Sequence, residues 1–264
     1  MLVGIVTGSG TYSLPGLEVE STGEVDTPYG RAPVTRGRFA GASVLHVSRH
    51  GEGHARLSNH INHRANLFAL KELGADCTIG CTACGAVDGD VALGSLLFFD
   101  DLHFPVNRLP DGSLCTFYDR AGDPRRGHWI YERPFSEPLR TALVEAAARA
   151  GVEGRDGGCY GHVDGPRFNT RSEIAALAAA GVTAVSQTAG AETVLAGELE
   201  LPYALMGFPT DYANGVKPVA TPPAEMIRLM GESSARFAAV LAAAVPALEG
   251  VDLPAAGIVY RFEG

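Results

Sequence analysis

Short apolar runs that read as buried strands alternate along this chain with segments of helical period, and this alternation restricts the fold more than any other feature. The runs are Leu2–Thr7, Ala42–Ser48, Cys77–Thr82, Gly94–Asp100, Gly157–His162, Ala184–Thr188 and Tyr203–Phe208. Between them, Ile61–Leu73 sets Ile61, Ala65, Phe68 and Ala69 on one helical face and stops at Gly74, a residue suited to the left-handed position that ends helices. Ser136–Ala150 opens with a serine cap and an early Pro138 and stops at Gly151. Thr170-x-x-Glu173 has the form of a capping box for a helix that ends at Gly181. Ala191–Leu199 is a short helix, and the last helix starts at Thr221 with Pro222 in its first position, carrying Met226, Met230, Phe237 and Leu241 on one stripe. Strands alternating with helices predict the α/β class, with helices covering both faces of a sheet. Ligand sites in such sheets collect at the carboxyl ends of strands, so the chemistry is expected just after each apolar run. The stretch from Asp101 to Arg133 is rich in Pro, Gly and Arg and reads as a loop of functional length.

The net charge of −9, with no dense basic stripe, argues against a nucleic-acid partner. An acidic chain that binds an anion must concentrate positive potential locally, which gives weight to Arg and His beside glycines. The N-terminal MLVGIVTGSG has no basic leader, and no apolar run is long enough to span a bilayer, so neither export nor a membrane partner is expected. The five cysteines form no disulfide framework, and a reducing cytoplasm is their simplest home. Cys81-x-x-Cys84 lacks a second pair at zinc-site spacing, so the cysteines read as buried strand residues and no metal is expected.

Several strand ends offer groups suited to an anion. Thr7-Gly8-Ser9-Gly10-Thr11 combines close backbone approach with hydroxyl donors, although a plain turn explains it equally well. It is not a dinucleotide fingerprint, because Ser13 stands at the third glycine position, and no Gly-Lys-Ser/Thr follows for a Walker loop. Ser48-Arg49-His50-Gly51 supplies a guanidinium fork matched to phosphate; a buried salt bridge to a carboxylate is the alternative. Thr82-Ala83-Cys84-Gly85 and Ser186-Gln187-Thr188-Ala189 add further hydroxyls and N–H groups. Asp211 follows an apolar strand, where a raised pKa would let it share or donate a proton; a turn cap is the alternative. Phe168 offers a ring for stacking, or else a core side chain.

Taken in order, Thr7-Gly8-Ser9-Gly10, Asp26-Thr27-Pro28-Tyr29-Gly30, Ser48-Arg49-His50-Gly51, Asn62-His63-Arg64-Ala65-Asn66, Thr82-Ala83-Cys84-Gly85, Gly165-Pro166-Arg167-Phe168 and Thr210-Asp211-Tyr212 closely resemble the trimeric purine nucleoside phosphorylase and methylthioadenosine phosphorylase family. The likeness runs from about Leu2 to the final helix. Gly-Pro-Arg-Phe and Thr-Asp-Tyr are similar to the methylthioadenosine branch, whereas the 6-oxopurine branch usually has Asn in place of Asp211. The resemblance implies a single three-layer α/β domain over residues 1–264, with a central mixed β-sheet flanked by helices. It implies phosphorolysis of a purine nucleoside to free base and pentose 1-phosphate. The first expectation is 5′-methylthioadenosine or a related 5′-modified nucleoside; a 6-oxopurine nucleoside (inosine, guanosine or methylthioinosine) is the alternative. Neither metal nor organic cofactor is implied, inorganic phosphate being a co-substrate, and the assembly would be a homotrimer or a dimer of trimers.

The same resemblance assigns roles. Ser9, Arg49, His50, Thr82, the Ala83 N–H and Thr188 would hold phosphate; Phe168 and Asn169 would line the purine site; Asp211 would bond the base near N7; and His128 would sit by the 5′ substituent. Catalysis would rest on Asp211, His50 and Thr188. A neighbouring subunit would complete each site, with residues 101–133 as the candidate donor. Three departures bear on specificity. Ala213 stands where the methylthioadenosine branch has a second Asp, with Asn214 beside it as a candidate substitute. Gln187 replaces a methionine that packs on the ribose, and a buried amide there is expected to find a ligand partner. Ala189-Gly190-Ala191-Glu192 replaces Thr-Val-Pro-Glu and reads as a smaller, looser loop. A nucleosidase using water would not need Ser9, Arg49 and Thr188, and a purine-binding protein without catalysis would not need Asp211.

Overall fold

The computed structural model describes residues 1–262. The chain opens with β1 (Leu2–Thr7), the hairpin β2 (Glu18–Thr27) and β3 (Gly30–Phe39), β4 (Ala42–Ser48), α1 (His63–Glu72) and β5 (Cys77–Ala86). There follow β6 (Leu96–Phe98), β7 (Asp101–His103), β8 (Gly127–Ile130), α2 (Glu137–Arg149), β9 (Gly154–Asp156) and β10 (Cys159–His162). The remainder is α3 (Arg171–Ala179), β11 (Val182–Ser186), α4 (Ala189–Glu198), β12 (Tyr203–Tyr212), α5 (Pro223–Ala244) and β13 (Ile258–Arg261). Eleven strands form one mixed sheet with the main order β2-β3-β4-β1-β5-β11-β10-β7, and β12 runs from β5 to β6 and on to β9. Two buried apolar clusters sandwich it. Leu67 and Leu70 of α1 and Leu195 of α4 pack in one. Leu139 and Leu143 of α2 and Leu229, Phe237 and Leu241 of α5 pack in the other. This is the three-layer α/β arrangement that the alternation of strands and helices predicts.

The sheet divides along β5. One side of β5 carries β12 from Thr78 to Ala86, in parallel. The other side pairs with β1 at Cys77–Gly80 and then, antiparallel, with β11 at Gly85 and Ala86. Over 81–84 neither β1 nor β11 is its partner, and the sheet opens there.

Local signals set several boundaries. β1 and β4 have the predicted limits, and Thr170 and Glu173 make the reciprocal bonds of a capping box at the start of α3. Other expectations change. Ser136 is the residue before α2, but its hydroxyl donates to the Pro254 carbonyl at 3.3 Å instead of capping the helix. α5 starts one step later than predicted: Pro222 is the cap, and the Thr221 hydroxyl accepts from the Tyr212 N–H at 3.1 Å. The hairpin β2–β3 escapes the apolar pattern because β2 is an edge strand exposed almost throughout, carrying Glu18, Glu20, Glu24 and Asp26, charges that suit an unpaired edge. Within the expected loop 101–133, β7 joins the main sheet and β8 pairs antiparallel with β13.

Candidate active site

A pocket of about 310 Å³ opens where β5 loses one partner, and the carboxyl ends of β1, β5, β11 and β12 surround it. Ten of the residues singled out in the sequence line it: Ser9, His50, Thr82, Ala83, Phe168, Asn169, Gln187, Thr188, Asp211 and Ala213. Arg49 and His128 do not.

One part of the pocket collects hydroxyl and imidazole groups. The Ser9 hydroxyl is 3.5 Å from His50 Nε2, and the Thr82 hydroxyl is 3.3 Å from that of Ser186. His50 Nδ1–H donates to the Arg56 carbonyl at 2.8 Å, which leaves Nε2 as the acceptor of a neutral ring. Burial pushes the His50 pKa down to about 4, the Arg56 contact opposing only part of the shift, so the ring is neutral near pH 7. Thr188 precedes α4 as its cap residue yet makes no side-chain capping bond, so its hydroxyl is not spent on the helix.

Arg49 lies directly beneath this cluster. A Cβ on Gly8 would come within 2.9 Å of its Nη1, so the backbone of the Ser9 turn rests on the guanidinium. The fork is committed elsewhere, however. Nε and Nη2 both donate to the Glu192 carboxylate, the latter at 2.7 Å, and Nη1 donates to the Cys81 carbonyl where β5 has left β1. Both side chains are fully buried. The Tyr203 hydroxyl donates to Glu192 at 2.9 Å, and His63 Nδ1 lies 3.5 Å from the same carboxylate. Burial opposes ionisation of Glu192, but the Arg49 charge and hydrogen bonds overcome it and hold the pKa at about 2. Of the two readings left open for Arg49, the structure shows the buried salt bridge. Glu192 also corrects a second expectation. Residues 189–192 are no loose loop but the buried first turn of α4, where the Ala189 N–H donates to the Tyr160 hydroxyl and the Gly190 N–H to His162 Nδ1. A Cβ on Gly190 would stand 2.5 Å from the His162 Cβ, so close packing requires the small residue there.

Another part of the pocket holds Asp211. The β5–β12 register slips between Pro209 and Asp211, and this bulge re-aims the strand where the carboxyl enters the pocket. Burial raises the Asp211 pKa, and the Thr210 hydroxyl, donating to Oδ1 at 2.8 Å, offsets only part of that. Gly85 leaves room beside Oδ2, its missing Cβ being 3.5 Å away. Ala213 is buried with Val87, Ile174, Val182 and Val185 in a small apolar cluster, so no carboxylate stands there. Asn214 does not substitute for one: its amide donates to the Asn169 carbonyl at 2.7 Å. Phe168 is 64% exposed at the pocket wall, not a core residue, and presents an uncovered ring.

Gln187 departs from expectation as well. Its Oε1 accepts from the Ser58 hydroxyl at 2.8 Å and its Nε2 donates to the Arg167 carbonyl at 3.1 Å. Both ends of the amide are engaged by the protein, so no ligand is needed to satisfy it. His128 lies on β8, edge-on to Phe262 with ring centroids 5.4 Å apart. It lines a second cavity of about 680 Å³ with Leu102, Cys115, Trp129 and Glu198, not the pocket of its own chain.

The structure adds residues that the sequence did not single out as site groups. Met226 and Met230 line the pocket, whereas Phe237 and Leu241 from the same stripe of α5 are core. His54 stacks on His50 with centroids 4.1 Å apart and lies 3.0 Å from the Tyr12 hydroxyl. Its left-handed backbone, between positive-φ Gly53 and Ala55, makes the turn that permits this. The doublet Gly51-x-Gly53 before a histidine was the available signal. Among the described residues no group of three or more His, Cys, Asp or Glu side chains is placed to hold a metal ion. No helix there is long and apolar enough to cross a membrane.

Comparison with known proteins gives a consistent family. A model described as "Phosphorylase superfamily" matches residues 2–246. The chain is 36% identical over 249 residues to a probable 6-oxopurine nucleoside phosphorylase of Thermococcus kodakarensis, covering 92% of this chain and 91% of that one. It is 36% identical over 214 residues to the S-methyl-5′-thioadenosine phosphorylase of Caenorhabditis elegans, covering 80% and 73%. Among solved structures, methylthioadenosine phosphorylase from Schistosoma mansoni in complex with adenine matches with a TM-score of 0.84 at 26% identity, over 96% of this chain and 93% of that one.

Proposed function

The chain belongs to the phosphorylase superfamily and is a pentosyltransferase of the nucleoside phosphorylase type; on that premise we propose that its pocket cleaves the N-glycosidic bond of a purine nucleoside with inorganic phosphate, through the residues that follow. One observation carries the assignment of the site: a single pocket contains both a set of hydroxyls suited to an anion and a buried carboxyl with a raised pKa. Ser9, Thr82, Thr188 and the Ala83 N–H hold phosphate. Arg49 contributes from below, its charge largely matched by Glu192 and its fork fixing the Ser9 turn. One phosphate oxygen attacks C1′ as the C1′–N9 bond breaks and its electron pair leaves with the base. His50 Nε2, an acceptor in the neutral ring, takes the P–OH proton of monohydrogen phosphate, and Asp211 delivers a proton to N7. The net result is one proton moved from phosphate to base, giving free purine and pentose 1-phosphate. Each well-placed group of this kind is worth about 3–4 kcal/mol in the transition state. No metal or organic cofactor takes part.

Two observations bear on the substrate. Met226 and Met230 supply an adaptable apolar wall that suits a 5′-modified nucleoside such as 5′-methylthioadenosine. Ala213, buried where a second carboxylate would read a 6-amino group, favours a 6-oxopurine base bonded by protonated Asp211 alone. Base release measured with and without phosphate across 5′-methylthioadenosine, adenosine, inosine, guanosine and methylthioinosine tests both. Release that ignores phosphate would establish a nucleosidase, and tight binding without turnover a purine-binding protein.

The subunits assemble as a homotrimer or a dimer of trimers, with His128 reaching a neighbour's pocket. Its place on β8 outside its own pocket, beside exposed Ile130, Tyr131, Ile258 and Tyr260, supports this. Sedimentation equilibrium of the purified protein checks the assembly. The five cysteines, unpaired in the structure, favour a cytoplasmic setting.

A further inference from the structure

We propose that Gln187 is a positioning residue that couples phosphate binding to nucleoside binding, by bridging the segment that orients His50 to the segment that carries Phe168 and Asn169. The inference rests on the phosphorolytic reading of the pocket. Gln187 follows β11 and lies between two stretches of irregular backbone. On one side its Oε1 accepts a hydrogen bond from the buried Ser58 hydroxyl. Ser58 opens a short 3₁₀ turn, Ser58–His60, two residues beyond Arg56. The Arg56 carbonyl fixes the His50 ring through Nδ1, and the Arg56 N–H donates to the His50 carbonyl at 2.9 Å. On the other side Gln187 Nε2 binds the Arg167 carbonyl, the residue before Phe168. The amide cannot be turned over, because a carbonyl accepts only, so Nε2 must face Arg167.

The bridge is specific to this arrangement of residues. A Cβ on Gly165 would stand 1.9 Å from Gln187 Oε1 and 2.4 Å from Ser58 Oγ, so a side chain at 165 would displace the bridge. The methionine that the resemblance places at position 187 has no donor for Arg167 and only a weak acceptor for Ser58. Phosphate that settles against His50 and Ser9 therefore orders 50–58, and through Ser58 and Gln187 it orders 165–169 before the purine arrives. Coupling between two ligands is reciprocal, so the nucleoside tightens phosphate by the same factor.

The test uses the full-length protein and the variants Gln187→Met, which loses both bonds, Gln187→Glu, which keeps the Ser58 bond and loses the Arg167 bond, and Ser58→Ala. Hydrogen exchange is followed with and without inorganic phosphate, and nucleoside KM is measured at low and at saturating phosphate with inosine and with 5′-methylthioadenosine. In the parent, phosphate alone slows exchange in 165–169, and saturating phosphate lowers nucleoside KM about tenfold, the range expected for two net hydrogen bonds. In Gln187→Met, Gln187→Glu and Ser58→Ala the protection of 165–169 disappears and the KM ratio falls toward one, while phosphate still protects 8–11. Gln187→Met transmitting protection as the parent does, or a parent in which phosphate leaves 165–169 unchanged, overturns the proposal. Transmitted protection with no turnover of any nucleoside would retain the bridge and reject the phosphorolytic reading instead.

Discussion

Replacing Glu192 by Gln should destabilise the protein far more than any surface change, and it should do so through Arg49. Glutamine keeps the size and one acceptor but removes the charge. The guanidinium then remains fully buried with the Cys81 carbonyl, a weakened contact to the introduced amide and no counter-ion. Breaking one partner of a buried pair costs about 3–5 kcal/mol because the other charge is stranded. A chain of this size shifts its melting temperature by roughly 2–4 °C per kcal/mol, so Glu192→Gln should melt about 6–20 °C lower. Differential scanning calorimetry reads the shift, and Glu173→Gln, which breaks the exposed pair with Arg167, serves as the control and should melt close to the parent. Phosphate gives the second readout. An anion seated above Gly8 lies next to the stranded charge, so phosphate should raise the melting temperature of Glu192→Gln more than that of the parent. A variant that melts with the parent would refute the energetic account of the pair, and one that gains nothing extra from phosphate would refute the placement of the anion over Arg49.

Asp211→Ala should cut kcat by about 10²–10³ while phosphate binding, followed by calorimetry, changes little, since the carboxyl acts on the departing base. Ala213→Asp should shift relative kcat/KM toward 6-aminopurine nucleosides in a substrate panel and should lower stability, because the new carboxyl enters an apolar cluster. Acid should weaken the fold at an unusually high pH. Burial holds His46 at about 4 and His162 at about 3, below their unfolded value near 6.5, so the unfolded chain binds more protons between those values. Stability is therefore complete above about pH 6.5 and falls by about 1.4 kcal/mol per pH unit per histidine as pH drops toward 4, which urea melts between pH 7 and 5 will show.

Features written within a few residues of themselves were legible. The Thr170/Glu173 capping box and the limits of β1 and β4 depend on neighbours in the chain, and strand ends pointed to Ser9, His50, Thr82, Thr188 and Asp211, which the pocket gathers. Features that depend on distant partners were not. Arg49 reads from sequence as a phosphate ligand first and a salt-bridge residue second, and the carboxylate that engages it is 143 residues away. Gln187 is expected from sequence to find a ligand partner, but its partners are protein groups, Arg167 and, 129 residues away, Ser58. Met226 and Phe237 fall on one helical stripe, and periodicity cannot separate a pocket wall from a core. β2 has no apolar face to announce it, because neither of its faces is buried.

The divided sheet seats the two halves of the reaction on different strands. Ser9 and His50 follow β1 and β4, on the undivided part, and their geometry is tied to the Arg49–Glu192 pair that fills the gap. Asp211 and Ala213 lie on or just past β12, along the other edge of β5, and Gln187 follows β11, across the opening. A change at Ala213 meets the apolar cluster of Val87, Ile174, Val182 and Val185 and not the Arg49–Glu192 anchor of the anion. Base preference can thus be altered from β12 while the attacking phosphate keeps its seat.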